Sequence, residues 1–186
     1  MRLTEPRIEP LKPSEWTDEV KELLEPVEKA NGRVFNIFST LARYPKLAKR
    51  WLVFGNHVLF KSTLPARERE LVILRVGYLC KCDYEWGQHV VIGKQAGLAD
   101  ADIKRITEGP DAKGWKPFDS LLLLATDELF ADTFIGDATW KGLAERYNER
   151  QLMDLVFTIG QYMTVSMALN TFGVPLDDGI KGIPDK

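Results

Sequence analysis

Two cysteines and two histidines are all that 186 residues contain, and proline is missing from Ala66 to Gly109 and from Phe118 to Val174. Cys80 and Cys82 stand so close that a bridge between them would close a very small strained ring, which excludes a structural disulfide framework and suits a reduced, cytoplasmic compartment. An excess of charge of one sign is missing too. The 25 basic and 27 acidic residues are interspersed, so no basic stripe offers itself to nucleic acid or to an anionic membrane. No glycine-rich phosphate loop occurs, and no serine sits in a nucleophile elbow, which removes support for nucleotide sites and hydrolase triads. The segment Met1 to Trp16 is polar and proline-studded, unlike a cleavable signal, and no apolar run is read as reaching the roughly 20 residues that span a bilayer.

The proline-free stretches permit long helices, and no strand alternation of useful length is present, so an all-α single domain is expected. Residues 1–15 read as an extended leader, 16–174 as the domain and 175–186 as an extended arm that either packs on a neighbouring subunit or frays. Helices are expected over Trp16 to Ala30, with a kink or split at Pro26, and over Phe35 to Leu41, Pro45 to Leu59, and Pro65 to about Cys80. Another runs from Cys82-Asp83, with Asp83 as cap, to Gly97; a short one follows, capped by Asp100. Phe118 to Ala131, Thr139 to Tyr147 and Glu149 to Phe172 complete the set, the last with a capping-box spacing between Asn148 and Gln151. The stretch Leu71-Val72-Ile73-Leu74-Arg75-Val76-Gly77-Tyr78-Leu79 is apolar nearly all round, which marks its helix as central.

Two residues of that helix ask for partners. Arg75 has no local countercharge, so it needs a carboxylate (Glu85, or Glu70 of a neighbour) or an anionic substrate group. Glu70 lies eleven residues before Lys81 and His89 eight after it, about 16 and 12 Å up two antiparallel helices, so the two side chains can meet. Glu85 and His89 are spaced i and i+4 on one face. A carboxylate, an imidazole and a second carboxylate in line make a proton relay; the same spacing also suits an ordinary Glu-His helix pair. Cys82, at a helix start, is where a thiol pKa is lowered. Cys80, Cys82, Glu85 and His89 have ligand types for zinc, but they lack the second Cys or His pair, and no metal is expected. His57 reads as a satisfied, partly buried histidine.

The segment Leu64-Pro65 through Glu70, then Cys82-Asp83-Tyr84-Glu85-Trp86 and His89, resembles the carboxymuconolactone decarboxylase superfamily, which also contains alkyl hydroperoxidase D. Leu41-Ala42-Arg43-Tyr44-Pro45, Gly160-Gln161-Tyr162 and Leu169-Asn170 extend the resemblance from about Phe35 to Pro175. It implies an alkyl hydroperoxidase D-like helical domain with a central helical hairpin, assembling as homo-oligomers, commonly trimers or hexamers. In the hydroperoxidase branch, Glu70, Cys82 and His89 would match the conserved Glu, first Cys and His, while Glu85 stands where that branch has its second cysteine. A carboxylate cannot form a sulfenic acid or a disulfide. The decarboxylase branch works without a cofactor on a small lactone acid. The expectation is a cofactor-independent lyase of that type acting on a small organic acid or lactone, with Glu70, Glu85 and His89 catalytic and Arg75 holding a substrate carboxylate. The alternatives are a thiol-dependent peroxidase through Cys82 acting on a hydroperoxide, and a non-catalytic oligomeric scaffold.

Overall fold

The computed structural model describes residues 3–184, and every helix or strand assigned among them is helical, as expected. The α-helices are α1 (Asp18–Asn31), α2 (Asn36–Leu41), α3 (Pro45–Asn56), α4 (Ala66–Leu79), α5 (Asp83–Gln95), α6 (Asp100–Glu108), α7 (Pro117–Asp132), α8 (Asp137–Ala144) and α9 (Glu149–Phe172). A π-type turn, His57–Lys61, continues α3.

Several boundaries differ from the sequence expectation for local reasons. Pro26 does not split α1: it lies on the exposed side, where the carbonyl it leaves unpaired can face water. Cys82, not Asp83, is the cap residue of α5, and Ala99, not Asp100, that of α6, so both aspartates fall in the first turn, where their charge suits the helix dipole. Helix α8 starts at Asp137 rather than Thr139. The Asn148–Gln151 capping box at the start of α9 is present as expected. His57 is exposed rather than partly buried, 3.4 Å from Asp154.

Helix α4 is the centre of the packing. Leu71, Val72, Ile73, Leu74 and Val76 have no exposed surface, and α5, α6, α7 and α9 all pack on this helix. The sequence reading missed one apolar run: no charged residue lies between Asp154 and Asp177, and α9 is long and apolar enough to cross a membrane by length and composition. Half of that stretch is buried against the rest of the fold, the pattern of a core helix.

Burial on all sides forces the charged residues of α4 into pairs. Glu68 accepts from Tyr147 Oη at 2.5 Å and from Arg146. The expected partner of Arg75 is corrected here, because Arg75 pairs with neither Glu85 nor Glu70 of its own chain. It donates Nε and Nη2 to the two oxygens of Asp127 on α7, both at 2.7 Å, and Nη1 to the Ile106 carbonyl at 2.7 Å. Five residues on from Glu70, it points about 140° away around the helix.

The described part of the C-terminal arm is tied to its own chain. Asp177 accepts from Tyr84 Oη (2.5 Å), Gln88 Nε2 (2.7 Å) and the Asn36 amide (2.9 Å). Ile183 donates to Asp83 at 3.0 Å. The arm lies so close over Gly87 that a Cβ there would stand 2.5 Å from the Lys181 carbonyl oxygen. The leader crosses the end of α9, with the amides of Arg7 and Ile8 donating to the Phe172 carbonyl. Met1, Arg2, Asp185 and Lys186, the ends of the leader and the arm, lie outside the described residues.

Asp127→Ala leaves the Arg75 guanidinium buried without its carboxylate, and urea unfolding is expected to show a loss of about 3 kcal/mol. The double variant Arg75→Met, Asp127→Ala is expected to recover much of it, because the uncompensated charge is gone.

Candidate active site

The site is built by the α4–α5 hairpin. Lys81, at φ 51°, takes the left-handed conformation that reverses the chain, and the Cys82 amide closes the turn on the Gly77 carbonyl at 2.9 Å. Gly77 lets the helices approach: a Cβ there would lie 3.4 Å from the Trp86 amide nitrogen and 3.7 Å from the Glu85 Cβ. The close antiparallel packing brings Glu70 and His89 to the same height.

His89 is held from both sides. Its Nδ1 is 2.6 Å from Glu70 Oε2 and its Nε2 3.0 Å from Glu85 Oε1, and all three side chains are buried. Arg69, half a turn from the hairpin contact, donates Nε to Glu70 Oε1 at 3.1 Å. Two cations and two carboxylates thus form a neutral buried cluster, which is what makes the burial of each charge tolerable. Burial by itself would lower the His89 pKa. The charges of Glu70 and Glu85 and their hydrogen bonds overrule it and raise the value to about 10. The imidazole is therefore cationic at neutral pH, hydrogen-bonded through Nδ1 to Glu70 and ion-paired through Nε2 with Glu85.

Cys82 does not behave as its position at a helix start suggests. The thiol is buried, and desolvation, with the charge of Glu85 adding to it, pushes its pKa up to about 12. Both ring nitrogens of His89 face carboxylates, so neither serves the thiol. A crevice of about 10 Å³, room for about one water, is bordered by Cys82, Asp83, Tyr84, Leu169 and Asn170.

The hairpin geometry was readable from spacing; Arg69 and the α9 contribution were not. Tyr162 stands edge-on against the His89 ring, with centroids 4.9 Å apart and planes at 84°. The sequence signal for it is a Gln161-Tyr162 pair in the part of α9 that carries no charge after Asp154.

Residues 45–115 match the Carboxymuconolactone decarboxylase family. The fold is similar to the alkylhydroperoxidase AhpD core of an uncharacterized peroxidase-related protein from Ralstonia eutropha JMP134 (TM-score 0.81, 18% identity, 93% of each chain covered). It is also similar to an uncharacterized peroxidase-related protein from Silicibacter sp. TM1040 (TM-score 0.79, 16% identity, 95% of this chain and 92% of that one). A third likeness is to a cysteine-to-alanine variant of the debrominase Bmp8 in complex with 2,3,4-tribromopyrrole (TM-score 0.73, 12% identity, 94% of each chain). The sequence matches none of the curated proteins. The resemblance to the carboxymuconolactone decarboxylase superfamily, with an alkyl hydroperoxidase D-like fold, is thereby borne out.

The raised His89 pKa has a consequence for stability. The protonated imidazole contributes fully below the ordinary value near 6.5, and its contribution is lost as pH rises through about 10. The melting temperature is expected to fall between pH 7 and 10, and less steeply in Glu85→Gln, where one of the two carboxylates that raise the pKa is gone. Equal slopes for the two proteins would contradict the assignment.

Proposed function

We propose that this chain, carboxymuconolactone decarboxylase-like in its hairpin segment and alkyl hydroperoxidase D-like in fold, is a cofactor-independent, cytoplasmic lyase acting on a small organic acid or lactone. The observation that carries the reading is the in-line Glu70–His89–Glu85 arrangement, at 2.6 and 3.0 Å, beside a thiol whose pKa is raised rather than lowered. A peroxidatic cycle needs an accessible thiolate and a partner thiol. Here Glu85 occupies the place of that second thiol, and Cys82 is both buried and protonated.

Loss of carbon dioxide from such a substrate leaves an electron pair that moves into a conjugated carbonyl, and the carbon then takes up a proton. Glu85, the outer member of the relay, is the group that delivers it. Glu85 takes that proton from His89 Nε2 before handing it to the carbon, and Glu70 holds the ring through Nδ1 while Arg69 balances its charge. The cluster stays neutral when His89 is protonated, so each cycle begins with the proton in place.

Assembly into a homo-oligomer is part of the proposal. Val53, Phe54, Phe60, Met153 and Phe157 expose apolar surface on one side, with Phe60 at 74% and Phe157 at 55% exposure, and Phe54 packs edge-on against Phe157 at 6.0 Å. On α9 the exposed stripe continues through Gly160 and Thr164 to Met167 with no charge. A second copy presents an equally neutral stripe with no unpaired charge to bury.

Carboxylated γ-lactones should release carbon dioxide in the presence of the protein. His89→Ala and Glu85→Gln are expected to lower turnover at least 100-fold, whereas Cys82→Ser stays within threefold of the parent. Cys82-dependent consumption of a hydroperoxide with a dithiol reductant, and no lactone turnover, would replace this reading with the peroxidase one. Phe157→Glu is expected to shift the particle toward the monomer mass in light scattering.

A further inference from the structure

The relay has two ends that are chemically alike, since His89 stands between two glutamates, and its contacts alone do not give it a direction. The shorter contact, 2.6 Å, runs from Nδ1 to Glu70, against 3.0 Å from Nε2 to Glu85. A proton that followed the shorter contact would settle on Glu70. The two carboxylates differ, however, in what lies behind them. Arg69 sets Nε and Nη2 each 3.1 Å from Glu70 Oε1, so both oxygens of Glu70 are engaged, one by a guanidinium and the other by the imidazole. Among the described residues, Glu85 has no ion-pair partner other than His89. The other titratable groups at the relay keep their protons near neutral pH: burial holds the Tyr162 phenol on α9 well above its ordinary value and pushes the Cys82 thiol up to about 12. The exchangeable proton is shared by Glu70, His89 and Glu85 alone.

We infer that Arg69 is the positioning residue that gives the relay its direction, holding Glu70 as a fixed anion so that the proton of His89 passes to Glu85. This rests on the relay reading above. The reason lies in the charges that each transfer leaves behind. When the Nε2 proton moves to Glu85 Oε1, the imidazole and Glu85 become neutral, and the remaining charges, on Arg69 and Glu70, are in contact at 3.1 Å. When the Nδ1 proton moves to Glu70 Oε2 instead, the remaining charges are on Arg69 and Glu85, with a neutral carboxyl and the imidazole ring between them. Away from water an opposite pair in contact is favoured strongly over a separated one. Arginine cannot relieve the mismatch by neutralising itself, because its guanidinium keeps its protons. The side chains of Arg69 and Glu70 are 13% and 0% exposed, so solvent does little to screen the difference.

The test is a titration of the Glu70 and Glu85 side-chain carboxyl carbons by nuclear magnetic resonance, on the wild type, Arg69→Gln and Arg69→Lys. Arg69→Gln keeps a donor for Glu70 Oε1 without the charge, and Arg69→Lys keeps the charge. As the pH is lowered, Glu85 is expected to be protonated before Glu70 in the wild type and in Arg69→Lys, and the order is expected to reverse in Arg69→Gln. Lactone turnover falls about 100-fold in Arg69→Gln at a KM within about threefold, and Arg69→Lys restores it to within about threefold of the parent. Glu70 protonated before or together with Glu85 in the wild type overturns the inference, and that outcome needs no variant to fold. An unchanged order in Arg69→Gln, or a reversed one in Arg69→Lys, overturns it as well. A failure of the relay reading is distinguishable, since it shows as wild-type turnover in His89→Ala, whereas the order of protonation does not depend on turnover.

Discussion

The three buried charges of the most buried helix, Glu68, Glu70 and Arg75, are each answered from another element, and that requirement organises the molecule. Helix α4 carries Glu68, Glu70 and Arg75 in an apolar centre, all three buried. Glu68 is answered by Arg146 and Tyr147 at the junction of α8 and α9, Arg75 by Asp127 on α7, and Glu70 by His89 on α5. Three ionic contacts thus direct three neighbours onto three sides of one helix. Apolar packing supplies most of the attraction but little direction, whereas an unpaired buried charge is costly enough to reject a helix docked in the wrong register.

The contact at Glu70 differs from the other two in what it leaves available. The pairs at Glu68 and Arg75 end in arginine or tyrosine, groups that keep their protons at any physiological pH, and they serve as fixed joints. The contact at Glu70 ends in an imidazole, and that imidazole touches a second carboxylate beyond it. The protein places one exchangeable proton among fixed ones, and the fixed joints keep the distances around it short.

What could be read from the sequence follows the range of the interactions. The Glu70–His89–Glu85 set was legible because it depends on helical rise and one tight turn, both local. The central place of α4 was legible from its apolar run. Arg75 announced a need without its answer, because Asp127 stands 52 residues on and nothing local ties the two. The thiol pKa of Cys82 was misread for the same kind of reason: a helix start lowers it, but Glu85 and the enclosure by α9 act more strongly, and enclosure is a property of the packed fold. Gly87 looked like any helical glycine until the arm lay across it.

The Asp177 clasp bears on how the site comes into being during synthesis. Both carboxylates and the imidazole of the relay are made by residue 89, but the wall that encloses them arrives with Tyr162, and the strap that fixes Tyr84 and Gln88 on α5 arrives with Asp177. A nascent chain halfway off the ribosome holds the chemical groups with neither wall nor strap, in contact with water and with ordinary acidities. The proton of His89 acquires its unusual hold only when the chain has been read almost ninety residues further, so the reactive centre is assembled early and armed late.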